Sequence, residues 1–204
     1  MRQSVRRIGW SLILFVCLLS SLVAADNEAV HFDWSQAAPL YWSLFQGAVP
    51  ADAVHRTEAA AIHMTIRWRA SYAVSSLDGV TWTGKIASIT VTNTMEPSQS
   101  WVVPGKALPS VLGHEQLHFD LNEVYRRKLE CVLLATDTCT EVSQQTAVDH
   151  LNGKLQQNAA RVLQKLSDIQ ALYDSQTSHG TNASEQGRWQ SLIAAWLVAP
   201  MAAP

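Results

Sequence analysis

The stretch His114-Glu115-Gln116-Leu117-His118 places two histidines one helical turn apart, with a carboxylate between them. Residues i and i+4 lie on one face of an α-helix, because each residue turns the chain by about 100°. Both imidazoles can therefore reach one metal ion. Zinc (Zn2+) suits the pair, since neutral imidazole is a good zinc ligand. Glu115 can take a proton from a metal-bound water, so the pattern predicts a zinc enzyme that hydrolyses peptide bonds.

The motif lies in the first of two long predicted helices, which should span residues 110–134. The chain is broken just before it by Pro104-Gly105. The phase of this helix puts Tyr125 on the stripe of His118, so Tyr125 should lie near the site. Asp120 is rotated by about 200° from His118, too far round the same helix to join it on one metal.

A second helix should open at residues 138–141 and end near Ser175. Its apolar residues recur every three or four positions over about 26 residues, which indicates a helix–helix core rather than a cofactor site. These residues are Val148, Leu151, Leu155, Ala159, Val162, Leu166, Ile169 and Tyr173. A final short helix is expected around residues 186–198.

The half of the chain before the motif has the pattern of antiparallel strands. Apolar residues alternate with polar ones at Ile62, Met64, Ile66 and Trp68. A turn at Asp78-Gly79 should separate this strand from a second at 80–91, and a short third strand is expected at 101–103. The predicted fold class is α+β. One domain would join a strand-rich part, residues 26–105, to a helical part, residues 106–198, with a zincin-like H-E-x-x-H helix.

The first 25 residues have the pattern of an export signal. Three arginines precede an apolar run at 8–23, and Val23-Ala24-Ala25 offers small residues to a signal peptidase. A retained membrane anchor is the alternative, but the run is slightly short for a span. We therefore expect a periplasmic or secreted protein whose mature chain begins at Asp26.

The charge balance argues against a nucleic-acid partner. The chain has 15 Lys+Arg against 17 Asp+Glu, a net charge of −2 with His neutral. Removing residues 1–25 removes three arginines and no acidic residue, which leaves 12 basic against 17 acidic side chains, or −5. There is no basic patch, so no nucleic acid is expected.

No second apolar span follows, so no membrane partner is expected after cleavage. The expected partner is a peptide or protein substrate.

Cys131 and Cys139 are the two cysteines of the predicted mature chain. In an exported protein an isolated pair is most simply a disulfide. Closing so small a loop would stabilise the fold by about 2.5 kcal/mol on the chain-entropy model. A pair of metal ligands is the alternative, but no third cysteine accompanies them. We predict a disulfide.

The chain resembles a bacterial family of exported, predicted zinc-dependent proteases known as domain of unknown function 922. The resemblance is collinear over most of the mature chain. It is carried by Trp42-x-x-Phe45-x-Gly47, Ser100-Trp101-Val102, His114-Glu115-Gln116-Leu117-His118-Phe119-Asp120 with Glu123 and Arg126-Arg127-Lys128-Leu129, and Tyr173-Asp174-x-x-Thr177-x-His179-Gly180 with Gln186 and Trp189. The resemblance implies a zinc peptidase.

A catalytic zinc takes three protein ligands and keeps one position open. Four residues are candidates for the third ligand: His150, Asp174, His179 and Glu123. Helix phase disfavours Glu123. A straight antiparallel pair of helices would place a residue near 152 opposite His118, which favours His150. The resemblance favours His179, with Asp174 next, and we predict His179. That choice requires a bend in the second helix, near Asn152-Gly153, or helices that do not form a simple hairpin.

The expected mechanism assigns a role to each remaining residue. Glu115 accepts the proton of the zinc-activated water and passes it to the leaving amine. Tyr173 is expected to act in catalysis, by holding a ligand histidine or the oxyanion. Asp174, Tyr125 and Asp120 are expected to support the site by hydrogen bonds. A strand edge around 86–91 is expected to hold an extended peptide.

Two other functions stay open at this point. The same chemistry could hydrolyse a cell-wall amide. The scaffold could also serve as a non-catalytic binding module, with no metal or with zinc in a structural role only. The acid at position 115 separates these classes, because a structural zinc site has no use for it and would usually close with a fourth ligand.

Overall fold

The computed structural model describes residues 31–53 and 57–204. It consists mainly of a long antiparallel β-hairpin followed by three α-helices. The elements in chain order are β1 (Phe32–Asp33), β2 (Ala60–Ala61), β3 (Met64–Ser76), β4 (Trp82–Met95), β5 (Trp101–Val102), α1 (Pro109–Leu134), β6 (Cys139–Glu141), α2 (Gln144–Thr177) and α3 (Ala183–Val198). The predicted α+β class is confirmed. The predicted signal segment, residues 1–25, lies outside the described residues. Within them, no helix is long and apolar enough to cross a bilayer.

The hairpin of β3 and β4 is the centre of the main sheet. Its turn is the predicted one: the Asp78 carboxylate accepts hydrogen bonds from the N–H groups of Val80 at 2.9 Å and Thr81 at 2.7 Å. Gly79 supplies the positive φ of 74° that the turn needs. β4 is the middle strand, with β3 on one edge and β1 and β6 at the two ends of the other.

The apolar core lies between one face of the hairpin and the three helices. On β3 the core-facing residues alternate, as the period of a half-buried strand requires, at Ile66, Trp68, Ala70 and Tyr72. On α2 the predicted stripe is buried from Leu151 to Tyr173. Burying each Leu of this stripe stabilises the fold by about 1.5–3 kcal/mol, so the stripe holds α2 against α1 and the sheet.

The start of the second helix differs from the prediction. Residues 139–141 form β6, which pairs with β4 through Gly84↔Cys139 and Trp82↔Glu141. α2 therefore begins only at Gln144. Ser143 caps it: its Oγ accepts a hydrogen bond from the Thr146 N–H at 3.1 Å, and Thr146 Oγ1 accepts one from the Ser143 N–H at 3.2 Å.

α2 extends well beyond the end of α1. Its first turns, with Ala147 and Leu151, pack against β6 and the far end of the hairpin. Asn158, four turns along α2, is the residue that donates to Thr136 at the end of α1, at 3.2 Å. The straight-hairpin register of the sequence argument is therefore wrong. No break at Asn152-Gly153 is needed, since α2 is continuous through it.

The predicted disulfide is wrong, because Cys131 and Cys139 are both free. Cys131 is exposed on α1. Cys139 is buried on β6, where its thiol donates to the carbonyl oxygen of Ala147 at 3.4 Å. The pairing of β6 with β4 turns Cys139 toward α2 and the sheet, while Cys131 faces solvent, so the two thiols have different surroundings.

Thiol labelling tests this arrangement. Under native, non-reducing conditions an alkylating reagent should modify Cys131 rapidly and Cys139 only after unfolding, because the second thiol is buried. Peptide mapping by mass spectrometry assigns the modified residue. A chain in which neither cysteine reacts until a reductant is added would mean that the two are joined.

Candidate metal centre

The two histidines of the motif point from the first half of α1 toward α2. Both are buried, with 4% of His114 and 9% of His118 exposed, and their Nε2 atoms lie 3.1 Å apart. The carboxylate of Asp174, on α2, meets both rings. Its Oδ1 lies 3.1 Å from His114 Nε2 and 2.9 Å from His118 Nε2. Three potential ligand atoms therefore form a nearly equilateral triangle, which we call the triad.

The triad has nearly the dimensions of one face of a zinc tetrahedron. Ligand bonds of about 2.0–2.1 Å hold the ligand atoms of such a site roughly 3.3–3.4 Å apart. The triad atoms are 2.9–3.1 Å apart. Small outward movements of the side chains would thus fit an ion, and two imidazoles with one carboxylate are a donor set that zinc accepts.

Gln170 fixes the tautomer of His118. Its Nε2 donates to the backbone carbonyl oxygen of His118 at 3.0 Å, which can only accept, so its Oε1 must be the atom that faces the ring. His118 Nδ1 lies 2.6 Å from that oxygen and therefore carries a hydrogen. In the neutral ring, Nε2 is then left with its lone pair directed at the triad.

Gln186 and Tyr173 fix the tautomer of His114. Gln186 Nε2 donates to the Tyr173 hydroxyl at 2.7 Å, and that hydroxyl has two acceptors within reach, Gln186 Oε1 at 3.0 Å and the His114 carbonyl oxygen at 3.3 Å. Gln186 Oε1 has two lone pairs, so it can also accept a hydrogen bond from His114 Nδ1, at 3.3 Å. Tyr173 also stacks on the His114 ring, with centroids 4.7 Å apart. Burial raises the pKa of Tyr173 well above its usual value, so the hydroxyl stays a donor.

With both Nδ1 atoms hydrogen-bonded to amide oxygens, two ring lone pairs and a carboxylate oxygen converge. Such a set of acceptors requires a positive charge between them, either a metal ion or a proton. The titration behaviour reflects this. Burial by itself would raise the pKa of Asp174, but the hydrogen bonds to His114 and His118 outweigh it and hold that pKa well below its usual range. Burial would lower the pKa of His118, yet the contact with Asp174 and the charge of Glu115 raise it.

Glu115 is fixed beside the triad. It is 3% exposed, and its Oε2 accepts a hydrogen bond from the backbone N–H of Ile62 at 2.9 Å. Burial raises the pKa of this carboxyl, against the opposing effects of His118 and His114. A raised carboxyl pKa brings the group closer to the range in which it can both take and return a proton.

A cavity of about 210 Å³ opens in front of the triad. Its walls come from α1, α2 and the segment around β2, and its lining residues are Glu58, Ala59, Ala60, Ala61, Ile62, Trp101, Val111, His114, Glu115, His118, Asp174 and His179. Residues 86–91, predicted to form the peptide-binding edge, lie in the interior of β4, opposite β3, and do not line this cavity. The strand at the cavity is β2.

One edge of the β2 segment has no partner strand in the described part of the chain, and it faces the cavity. The Val103 N–H donates to the Ala59 carbonyl oxygen at 2.8 Å, so Ala59 bonds toward β5. Successive residues of a strand direct their backbone groups to opposite edges. The polar groups of Ala60 and Ile62 therefore point to the other edge, where Ile62 meets Glu115. A backbone lying along this edge would pass directly in front of the triad.

His179, the predicted third ligand, lies next to the triad and not within it. Its Nδ1 is 3.6 Å from Asp174 Oδ1 and its side chain lines the cavity. It sits in a left-handed turn in which Ser178, His179 and Gly180 have φ of 49°, 51° and 80°. This conformation is costly for residues other than glycine and persists at functional sites where surrounding contacts impose it.

Gly180 lets this turn pack on the first histidine. A Cβ at position 180 would lie 2.9 Å from His114 Cβ and 3.0 Å from its Cγ. Only glycine allows the turn to approach this closely and to keep its φ of 80°. The block that ends in His179-Gly180 therefore closes one side of the centre.

The structure holds the other predicted site residues elsewhere. Asp120 accepts hydrogen bonds from Trp34 Nε1 and Gln116 Nε2, both at 2.8 Å, and ties the first described residues to α1. Tyr125 donates to the Pro204 carbonyl oxygen at 2.9 Å. Both residues stabilise the scaffold around the site and do not line the cavity.

Two of the candidate ligands are bound to other groups. Glu123 is held by Arg126 at 3.0 Å and Arg127 at 2.8 Å. His150 pairs with Glu141, on β6. Helix phase disfavoured Glu123, and the structure pairs it with these two arginines, outside the triad. His150 lies on the first turns of α2, which extend beyond α1.

Gln170 and Glu58 were missed at the sequence level. A signal for Gln170 was present, since Gln170, Tyr173 and Asp174 are spaced as neighbours on one helix face. Glu58 had no local signal. It comes to the cavity only through the pairing of β2 with β5.

No protein-family model, curated protein or solved structure matches the chain. Membership of the exported protease family therefore stays a prediction from the quoted sequence blocks.

The close approach of Gly180 can be tested with a matched pair of variants. Gly79→Ala adds a Cβ at φ 74° with nothing within 4 Å, so it should cost only the backbone strain, about 1–2 kcal/mol. Gly180→Ala adds the same strain plus the contact with His114. Its unfolding free energy in urea should fall by at least about 1 kcal/mol more. Equal losses in the two variants would contradict the packing described.

Proposed function

We propose that this protein is an exported zinc-dependent metallopeptidase. The observation that carries the proposal is the convergence of His114 Nε2, His118 Nε2 and Asp174 Oδ1, each within 3.1 Å of the other two. The three atoms form the one group of metal-ligand type found in the described part of the chain with all its atoms within 4.8 Å of one another. Export is inferred from the pattern of residues 1–25.

Zinc is the metal that best fits this donor set. Calcium and magnesium take mostly oxygen ligands in sites of six or more. Two imidazoles and a carboxylate match catalytic zinc, which takes three protein ligands and an open position. We therefore assign Asp174, in place of the predicted His179, as the third ligand. Gln170 and Gln186 hold the two rings in the tautomer that ligation needs.

Glu115 is the general base of the proposed reaction. Bound zinc would acidify a water molecule and polarise the scissile carbonyl group. The Glu115 carboxylate borders the same cavity and is oriented by the Ile62 N–H, so it can accept a proton from that water and return it to the leaving amine. A site that used zinc only for stability would gain nothing from this buried carboxylate, which favours an enzyme over a binding module.

The β2 edge is the proposed binding surface for the substrate. An extended peptide can add to a free strand edge through backbone hydrogen bonds. Here the backbone groups of Ala60 point to that edge, next to the Ile62 N–H that holds Glu115. A peptide bond held there would face both Glu115 and the triad, which border the same cavity.

Metal binding by variants tests the ligand set. Purified protein should bind one zinc per chain. Asp174→Asn should weaken binding by more than about 100-fold, because it removes a ligand. Gln170→Ala should weaken it by roughly 10- to 100-fold, the usual effect of losing a group that orients a ligand. Chelator competition measures these affinities.

His150→Ala is the matched control, because it removes an exposed histidine from α2 and should leave zinc affinity unchanged. His179→Ala separates the two candidate third ligands. Zinc affinity that falls in His179→Ala and not in Asp174→Asn would reverse our assignment.

Glu115→Gln tests the base. The variant should keep its zinc and lose peptidase activity by at least about 100-fold, since an amide cannot accept the proton. Turnover of an unstructured protein such as casein, with zinc content measured on the same samples, is the assay. Activity at the wild-type level in a zinc-loaded Glu115→Gln protein would remove Glu115 from the mechanism.

A further inference from the structure

Glu58 lines the cavity, and one of its carboxylate oxygens has no hydrogen-bond partner among the described residues. Its Oε2 is buried and accepts no hydrogen bond from any group in the described ranges. Its other oxygen, Oε1, is 4.0 Å from His179 Nδ1, beyond hydrogen-bonding distance. Buried carboxylate oxygens are normally hydrogen-bonded, so an orphan oxygen in a cavity wall indicates a donor that arrives with a ligand.

The position of Glu58 determines what kind of donor could reach it. His179 Nδ1 lies 4.0 Å from Glu58 Oε1 and 3.6 Å from Oδ1 of Asp174, a member of the triad. Glu58 also comes directly before the β2 edge proposed to hold the substrate. Glu58 therefore lies at the end of the binding edge and close to the triad. A substrate group within one residue of the scissile bond would reach it.

We propose that Glu58 binds the α-ammonium group of the substrate, and that the enzyme removes residues from free peptide N-termini. This inference rests on the peptidase function proposed above. An ammonium hydrogen-bonded to a carboxylate at about 2.8 Å supplies the missing donor. The carbonyl carbon of the same terminal residue lies about 2.5 Å from the ammonium nitrogen, across one Cα. It therefore reaches toward the triad.

The cavity volume agrees with a chain end as ligand. At about 210 Å³ it is smaller than the roughly 300–1,000 Å³ of pockets that enclose drug-sized ligands. Alanines at 59, 60 and 61 form much of one wall. A terminal residue with a small side chain fits this space, with the rest of the peptide leaving along the β2 edge.

A second metal ion is the competing explanation for the orphan oxygen, with Glu58, His179 and Asp174 as its ligands. Two-metal hydrolases hold their ions about 3.5–4 Å apart and share a carboxylate between them. The metal-ligand group with all atoms within 4.8 Å of one another includes neither Glu58 nor His179. The ammonium explanation needs only a rotation of the Glu58 carboxylate that turns Oε2 into the cavity, and metal stoichiometry distinguishes the two.

Binding of two small zinc ligands tests the proposal without requiring turnover. Alanine hydroxamate carries a free amine, whereas its N-acetyl derivative does not, and both can chelate zinc. Calorimetry on the zinc-loaded protein should show the free amine binding about 10- to 100-fold more tightly, the usual worth of a hydrogen bond between charged groups. In Glu58→Gln this preference should fall to about one-tenth of its wild-type value or less, while the affinity of the acetylated probe stays the same.

Glu141→Gln is the control for loss of one carboxylate, since Glu141 lies on β6 at the far end of the sheet. It should keep the full preference. Glu58→Asp, which retains the charge, should restore part of it. If Glu58→Gln does not fold, equal binding of the two probes by the wild-type protein still refutes the role of Glu58, and Glu58→Asp tests it directly.

The outcomes separate the two proposals. A protein that binds one zinc and both hydroxamates equally well refutes the role of Glu58 and leaves the peptidase proposal standing. Two zinc ions per chain, with one lost in Glu58→Gln, refute it in favour of the second metal. A protein that binds no zinc refutes both.

Discussion

Three groups that would repel one another are held together where α1 meets α2, and much of the local structure serves to keep them there. The rings of His114 and His118 turn their lone pairs inward because Gln186 and Gln170 occupy their other nitrogens. Asp174 adds a negative charge to the same point. Such an arrangement is unfavourable unless a cation joins it. The account of function depends on this local demand for positive charge.

The larger fold supplies the rigidity that this arrangement needs. The buried stripe of α2 fixes its position against α1, and the first turns of α2, packed on β6 and the hairpin, set how far along α1 it lies. That offset brings Gln170 and Asp174 level with the two histidines. The left-handed turn at 178–180 then closes the site over His114, and β2 closes it over Glu115.

Local patterns in the sequence predicted the elements well. The H-E-x-x-H helix, the Asp78-Gly79 turn and the apolar stripe of α2 each depend on residues close together in the chain. The register of α2 against α1 could not be predicted this way, because it depends on β6, a three-residue strand whose pairing partner lies more than 50 residues earlier. The same strand separates Cys139 from Cys131. The missing register favoured His150 as third ligand, whereas His179 was preferred to Asp174 on the resemblance alone. Glu58 depends on another distant pairing, between β2 and β5.

The central claim is that one metal ion bridges α1 and α2, and diffraction from zinc-loaded crystals at the zinc absorption edge tests it most directly. We expect a single anomalous peak about 2.0–2.2 Å from His114 Nε2, His118 Nε2 and Asp174 Oδ1, with one coordination position open to the cavity. An ion held by a different set of residues, or a hydrogen-bonded triad with no peak after zinc is added, would contradict the account.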